Sequence, residues 1–417
     1  MEQSIANQIM DRADRLAQFS SMKDGLTRTY LSKEHKQAHQ QLAQWMHQAG
    51  LSTHQDSVGN QWGRKVSSMP NAPTLILGSH SDTVSNAGKY DGNLGILLAI
   101  SALEQLKDLD FPFHIDVVAF ADEEGTRFST TLIGSSAVAG IFNPLWLERE
   151  DRDGVTMSEA MCYFGLDPEL AGKDALQPDQ VLGYLEVHIE QGPLLEAKQL
   201  PVGVVTGIAG AKRFQLSVKG MAGHAGTVPI DMRADAFCGV AEMTMAIESY
   251  AKQNQLVATV GKCDVVSSSV NVIPGQVNFT LDIRSLEQSK LERSCDDLLT
   301  ELAIIAQNRG LEFKHEQFYQ AEAVPCSKKL QQTWGEVVTE VTGKPSEYLP
   351  SGAGHDALAM AHLTQVAMLF VRCDKGISHH PAEAVQQGDV AVALECLIKM
   401  LIAQGKAHKL SEAANHG

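Results

Sequence analysis

The sequence predicts an α/β protein in which a small domain is inserted into a larger one. Two short apolar runs, residues 74–77 and 115–120, have the length and composition of buried strands, and each ends in a polar loop. From residue 214 to residue 319, the predicted elements follow the order βαββαβ, which is typical of a ferredoxin-like domain. We therefore expect a larger α/β domain over residues 1–208 and 327–417 and an inserted domain over residues 209–326.

The hydrophobic pattern predicts the other elements in chain order. Apolar residues recur with helical spacing on either side of a polar turn within residues 4–51, and short strands are expected over 53–65. Further helices are predicted over residues 94–106, 233–254, 291–308, 330–342 and 390–403, and further strands over 214–219, 258–265, 276–285, 311–319 and 366–371.

The composition argues against several classes of function. The formal net charge of −16 disfavours binding to nucleic acids or to anionic membranes. Apolar runs such as residues 96–100 are too short to span a bilayer, and the first residues lack the pattern of a signal peptide. The seven cysteines are scattered singly, which is typical of reduced thiols. We expect a cytoplasmic protein that binds neither nucleic acid nor membrane.

The first polar loop carries a histidine and two acids that suit a metal site. His80, Asp82 and Asp91 follow the first predicted strand, and ligand sites in open α/β sheets form at such strand ends. The imidazole of His80 can bind a metal ion, Asp82 can orient that imidazole, and Asp91 can bridge two ions. The alternative is an ordinary polar loop with a capping histidine.

A pair of acids follows the second predicted strand. Adjacent side chains at a strand end point in different directions, so one of Glu123 and Glu124 can bind metal while the other acts as a general base. Alone, such a pair is also compatible with a solvated surface.

A third segment alternates polar and apolar residues. Glu186, His188 and Glu190 would share one side of an extended strand, which makes His188 a candidate ligand. A structural histidine is the alternative.

Eight motifs in order resemble those of the M20 metallopeptidase-like amidohydrolases, and the resemblance covers nearly the whole chain. The matching branch contains allantoate amidohydrolase, ureidoglycolate amidohydrolase and the N-carbamoyl-L-amino acid hydrolases. The motifs are GSHSDTV (78–84), KYDG (89–92), EEGTRF (123–128), EVHIEQGP (186–193), AGHAGTVP (222–229), NVIP (271–274), SGAGHDA (351–357) and GISHHPAE (376–383).

The resemblance implies a zinc-peptidase-like catalytic domain with a mixed sheet, an inserted lid and dimerisation domain, and two divalent metal ions. The ions are expected to be zinc or manganese, and cobalt or nickel also suits such ligands. The implied ligands are His80 and His188 for one ion, Glu124 and His379 for the other, and Asp91 as the bridge. His379 is preferred to His380 because it directly follows the residues GIS.

The resemblance also implies the remaining site residues. Asp82 would orient His80, and Glu123 would be the general base that deprotonates the attacking water. His224 would stabilise the tetrahedral oxyanion, often from the partner subunit of a homodimer. The implied substrate contacts are Asn271 and Arg284 for a carboxylate, Gln191 and His355 for a ureido group, His224, and Lys212; the lid would hinge near residues 207–210 and 321–326.

The implied function is hydrolysis of a ureido C–N bond in a small carboxylate-bearing substrate. Allantoate, from purine catabolism, is favoured because GHAGTVP (223–229), LFVRC (369–373) and GISHHPAE resemble the ureide-degrading members slightly more than the carbamoylases. The products would be a ureidoglycine-type compound, ammonia and carbon dioxide. An N-carbamoyl-L-amino acid hydrolase and a ureidoglycolate amidohydrolase are the alternatives, and an aminopeptidase fits the motifs less well. A metal-dependent scaffold protein without turnover would lack the base or the bridge, whereas Glu123 and Asp91 are both present.

One departure from the family pattern lies before the bridging aspartate. The loop reads Ala87-Gly88 where the family often has two glycines. Because alanine lacks the freedom of glycine at positive φ, we expect a slightly altered loop.

Overall fold

The computed structural model describes the backbone of residues 2–415 and the side chains of residues 4–410. The chain divides into two compact units, Met1–Thr206 with Cys326–Gly417 and Gly207–Pro325. The helices are α1 (Glu2–Ala17), α2 (Lys33–Gln48), α3 (Asn93–Gln105), α4 (Ile133–Val138), α5 (Met157–Phe164), α6 (Leu194–Ala197), α7 (Ala236–Asn254), α8 (Gln288–Asn308), α9 (Lys328–Thr342), α10 (Ala357–Met360) and α11 (Gln387–Asn415). The strands are β1 (Ser52–Gln55), β2 (Gln61–Lys65), β3 (Thr74–His80), β4 (His114–Phe120), β5 (Val181–Ile189), β6 (Val202–Ile208), β7 (Gly210–Lys219), β8 (Gly223–His224), β9 (Val257–Thr259), β10 (Cys263–Val265), β11 (Val272–Ile273), β12 (Gln276–Ser285), β13 (Glu312–Ala321), β14 (Val324–Pro325), β15 (Tyr348–Ser351) and β16 (Val366–Val371).

The first unit is organised on a mixed sheet. Its strand order is β1-β2-β4-β3-β5-β16-β6, and β15 also pairs with β6. The four central strands β4, β3, β5 and β16 run parallel, whereas β1, β2 and β6 pair antiparallel with their neighbours. The carboxyl ends of the four parallel strands therefore meet at one edge of the sheet, where polar loops can converge.

The parallel strands are buried on both faces. β3 and β16 have no exposed residue; β16 is a continuous apolar run, and β3 has one over residues 75–77, with no alternating pattern in either. α3 is buried along almost its whole length, because it packs on β3 and β5 and is covered in turn by α1 and α11. This core fixes the strand ends that carry the polar loops.

The second unit is a five-stranded antiparallel sheet with two helices. Its order is β10-β12-β7-β13, with β9 also on β12. β12 alternates buried and half-buried residues, so its buried side chains pack with the apolar faces of α7 and α8. The strand predicted over residues 258–265 is divided into β9 and β10. Within residues 2–415, no helix is both long and apolar enough to cross a membrane.

Candidate metal centre and active site

Residues at or just beyond the carboxyl ends of all four parallel strands converge on Asp91. His80 is the last residue of β3, His188 lies near the end of β5, Glu124 follows β4, and His379 follows β16. The local reason is the same each time, because an apolar strand ends and the next polar residues emerge at the sheet edge.

The first cluster joins two imidazoles to one carboxylate oxygen. Oδ1 of Asp91 lies 3.3 Å from Nε2 of His80 and 3.1 Å from Nε2 of His188. Nδ1 of His188 is 2.9 Å from the backbone oxygen of Ile189, which leaves Nε2 as the ligand atom. All three side chains are buried, and the group is arranged so that it could hold a metal ion.

The second cluster uses the other oxygen of the same aspartate. Nε2 of His379 lies 3.4 Å from Oδ2 of Asp91 and 3.5 Å from Oε1 of Glu124. His380 instead turns back on its own loop, where its Nδ1 accepts the amide of Ala382 at 3.1 Å. Asp91 therefore faces two separate ligand groups with its two oxygens, which is the geometry of a bridging carboxylate.

Asp82 organises the loop after β4 as well as His80. Its two oxygens accept the backbone N–H groups of Glu123 at 3.0 Å and Glu124 at 3.2 Å. Nδ1 of His80 is 3.2 Å from the backbone oxygen of Asp82 and 3.5 Å from its carboxylate. The carboxylate thus fixes the two glutamates, while the histidine ring is oriented by both parts of Asp82.

The charges of the site are poorly balanced without cations. Burial and then the charge of Glu123 raise the pKa of Glu124 to about 9, and burial raises the pKa of Glu123 to about 7. Burial alone would lower the pKa of His80, but Asp82 and Asp91 outweigh it and raise that pKa. Imidazole and carboxylate donors crowded in this way fit zinc, manganese or a similar divalent ion.

Two predicted contacts for a ureido group lie beside these clusters. Nε2 of Gln191 donates to Oδ2 of Asp91 at 2.8 Å, and its Oε1 is buried without a hydrogen-bond partner among the described residues. The ring of His355 packs edge-on to His188 with centroids 4.5 Å apart, and its Nε2 lies 2.7 Å from Oγ of Ser351. Gln191 has a φ of +54° and His379 one of +55°, which is strain of the kind found at functional sites.

The other predicted substrate residues belong to the second unit. Lys212 lies on β7, His224 on β8 and Arg284 on β12, and Asn271 immediately precedes β11. Nε and Nη2 of Arg284 donate to the two oxygens of Asp282 at 2.8 and 3.0 Å.

The alternation in β5 brings two of the three polar residues together. Ligand atoms of Glu186, His188 and His355 all lie within 4.8 Å of one another, whereas Glu190 lies just after the end of the strand. Oε1 of Glu186 accepts the hydroxyl of Ser79, and its Oε2 accepts the hydroxyl of Tyr184 and the amide of Ala357. Glu190 accepts two backbone amides of α6. Of the three, His188 is the one that contacts Asp91, at 3.1 Å.

Sequence reasoning missed two residues that hold Asp91. Oε1 of Glu383 accepts the backbone N–H groups of Tyr90 at 2.8 Å and Asp91 at 3.1 Å, and the hydroxyl of Ser378 donates to Asp91 Oδ2. Both residues lie in the GISHHPAE motif, which the sequence analysis identified without assigning a role to either of them.

In the loop before Asp91, Gly88 is the position that requires glycine. Ala87 is not among the described residues with positive φ, so this position does not need glycine. A Cβ at Gly88 would lie 2.2–2.4 Å from atoms of Glu383. The expected change in the loop at Ala87 therefore has no backbone basis.

Comparison with known proteins adds family information to this geometry. The model of peptidase family M20/M25/M40 matches residues 50–403. Allantoate deiminase of Arabidopsis thaliana is 40% identical over 437 residues, which cover 96% of this chain and 82% of the relative. N-carbamoyl-L-amino-acid amidohydrolase of Pseudomonas sp. (strain NS671) is 36% identical over 397 residues, which cover 93% of this chain and 96% of the relative.

A solved structure has a similar fold over nearly the whole chain. It is an amidase of the hydantoinase/carbamoylase family from Burkholderia multivorans, with a TM-score of 0.90 and 29% identity, covering 96% of this chain and 98% of that chain.

Proposed function

Because the chain belongs to peptidase family M20/M25/M40, we propose that it is a metal-dependent amidohydrolase that cleaves a ureido C–N bond of a carboxylate-bearing substrate, and that this substrate is allantoate. The observation that carries this proposal is Asp91, whose two oxygens face two separate groups of histidine and glutamate ligands. The identity of 40% to an allantoate deiminase supports the choice of substrate.

Two divalent ions are proposed at this centre. His80, His188 and Asp91 would hold one ion, and Glu124, His379 and Asp91 the other. When bound, such ions lower the pKa of a water molecule and polarise the carbonyl that it attacks. Zinc and manganese are proposed first, with cobalt and nickel as further fits to the donors.

Glu123 is proposed to move the proton. Its carboxylate lies within the same buried cluster as His80 and Glu124, and its amide is held by Asp82. As a carboxylate it accepts a proton from the attacking water, and as a carboxylic acid it donates this proton to the leaving nitrogen. With allantoate, one ureido group and water give a ureidoglycine-type amine, ammonia and carbon dioxide.

The second unit is proposed to be a lid and dimerisation domain. Its strand order and its two helices support a ferredoxin-like fold. Arg284 and Asn271 would bind the substrate carboxylate, since a guanidinium suits that planar group. His224 would stabilise the oxyanion, Lys212 would add a polar contact, and Gln191 and His355 would bind the ureido group. The unpaired state of all seven cysteines supports a reducing, cytoplasmic location.

An N-carbamoyl-L-amino acid hydrolase is the second candidate, favoured by the 36% identical relative. The deciding experiment measures ammonia release by the manganese- or zinc-loaded protein from allantoate, ureidoglycolate and several N-carbamoyl-L-amino acids at equal concentration. The Glu123→Gln variant serves as the control for contaminating activity. Faster turnover of allantoate than of the other compounds supports the proposal. Selective turnover of carbamoyl amino acids would instead identify the protein as an N-carbamoyl-L-amino acid hydrolase. Turnover of none would contradict the amidohydrolase assignment.

A further inference from the structure

Arg28 is a buried cation beneath the loop that carries His80 and Asp82. Its side chain is almost inaccessible, at 1% exposure. Burial lowers the pKa of its guanidinium to about 10, so it remains charged at neutral pH. Its hydrogen bonds within the described residues go to neutral oxygens. Burial of a charged side chain costs free energy, which the hydrogen bonds of the guanidinium must offset.

The guanidinium connects two segments that bear metal-ligand candidates. Its Nε donates to the backbone oxygen of Ser81 at 2.8 Å, and Ser81 lies between His80 and Asp82. Its Nη2 donates to Oδ1 of Asn93 at 2.7 Å, and Nδ2 of Asn93 donates to the backbone oxygen of Asp91 at 3.1 Å. One planar group thus spans the interval between the His80 loop and the Asp91 segment.

The guanidinium is itself fixed on both sides. Its Nη1 donates to the backbone oxygen of Leu16 at 2.7 Å, at the end of α1. The backbone of Arg28 exchanges two hydrogen bonds with Thr83: the amide of Arg28 donates to Oγ1 of Thr83, and the amide of Thr83 donates to the oxygen of Arg28, both at 2.9 Å. Both the side chain and the backbone of Arg28 are therefore held by hydrogen bonds.

The hydroxyl of Ser81 completes the support. It lies 2.6 Å from Nε2 of His39 and 3.1 Å from Nε2 of His35, both on α2, and it donates to the backbone oxygen of Phe120. Metal sites depend on such outer partners, since ligands must be held within about 0.5 Å of their working positions.

We propose that Arg28 is a positioning residue for the metal centre, and that its guanidinium sets the spacing between the His80–Asp82 loop and Asp91. This inference rests on the metal centre of the proposed function, and it assigns a role to a residue outside every motif of the chain.

The test is the metal affinity of the Arg28→Lys variant. Lysine keeps the charge, but its point-like ammonium cannot reach three oxygens in the fixed directions of a guanidinium. The full-length protein is stripped with a chelator, and the dissociation constant of Mn²⁺ or Zn²⁺ is measured by competition with a chromophoric chelator. We expect binding weaker by about 10–100-fold, with kcat reduced and KM unchanged.

Arg12→Lys is the matched control. Arg12 is also buried, and its side-chain hydrogen bonds within the described residues go to Ser101 and Glu104, which lie outside both ligand-bearing segments. We expect it to lower the melting temperature of the stripped protein and to leave metal affinity within about twofold of wild type.

Asn93→Ala keeps the inference testable if Arg28→Lys does not fold. It removes the link from the guanidinium to Asp91, so it should weaken metal binding in the same direction. Combined with Arg28→Lys, its effect should be less than additive because the two residues form one connection. Wild-type metal affinity in both variants would overturn the inference and leave the proposed function intact. A wild-type protein that binds no metal would overturn both.

Discussion

Nε2 of His80 lies 3.3 Å from Oδ1 of Asp91 inside a buried cluster. This contact joins the end of β3 to the start of α3. In the absence of a metal ion, the histidine and the aspartate hold each other in place through a hydrogen bond that a divalent cation would replace. The same pair therefore links folding stability to metal binding.

Removal of the metal ions should abolish activity and lower the melting temperature. Ions that bind the folded chain but not the unfolded chain stabilise it by about 2.7 kcal/mol at a concentration 100 times their dissociation constant. Chelator treatment followed by differential scanning calorimetry, with and without added Mn²⁺ or Zn²⁺, checks this. A melting temperature that is indifferent to metal would argue against a centre at Asp91.

The stripped protein should lose stability as the pH rises from 7 to 9. The folded pKa of Glu124 is raised to about 9, by burial and then by Glu123, so the folded state holds this proton while the unfolded state has released it. His80, whose pKa is also raised, acts in the same direction. Urea midpoints measured at several pH values test this, and metal should flatten the dependence. A stripped protein that gains stability over this range would contradict it.

Gly88→Ala should weaken metal binding through Glu383. The new Cβ would overlap the Glu383 carboxylate, which holds the amide of Asp91. We expect a loss of metal affinity of about tenfold or more, measured by chelator competition. Gly388→Ala is the control, since a Cβ there meets nothing within 4 Å. Equal metal affinity of the two variants would contradict the role of Glu383 in holding Asp91.

Arg284→Lys should raise KM with metal affinity unchanged. Lysine loses the paired hydrogen bonds that suit a carboxylate, and we expect KM to rise by about 10–100-fold. Arg213→Lys is matched to it, because Arg213 also donates to Asp282 from the neighbouring strand. Steady-state kinetics on both variants measure the two KM values. An equal rise of KM in both would assign the effect to Asp282 and contradict a direct contact of Arg284 with the substrate.

The strand ends were predictable because apolar runs define strands, and parallel strands bring their polar loops to one edge. His80 and the pair Glu123–Glu124 were found in this way, whereas His188 was found from the alternating pattern of its segment. The contact of Glu383 with Asp91 was not, since it joins residues 292 apart and has no periodicity. Arg28 was equally hidden, because a polar turn in the sequence gives no sign that its side chain is buried. The alternating pattern correctly placed Glu186 and His188 on one face of β5, whereas Glu190 lies beyond the end of the strand and accepts backbone amides of α6 instead.

The most direct test of the account is Glu123→Gln, with bound metal and ammonia release measured on the same preparation. Glutamine keeps the shape of the side chain but cannot accept and return a proton. We expect the same metal content as that of the wild-type protein, and a loss of kcat of about 10²–10⁴-fold with allantoate. A variant that keeps its metal ions and most of its activity would contradict the role of Glu123 as the group that carries the proton.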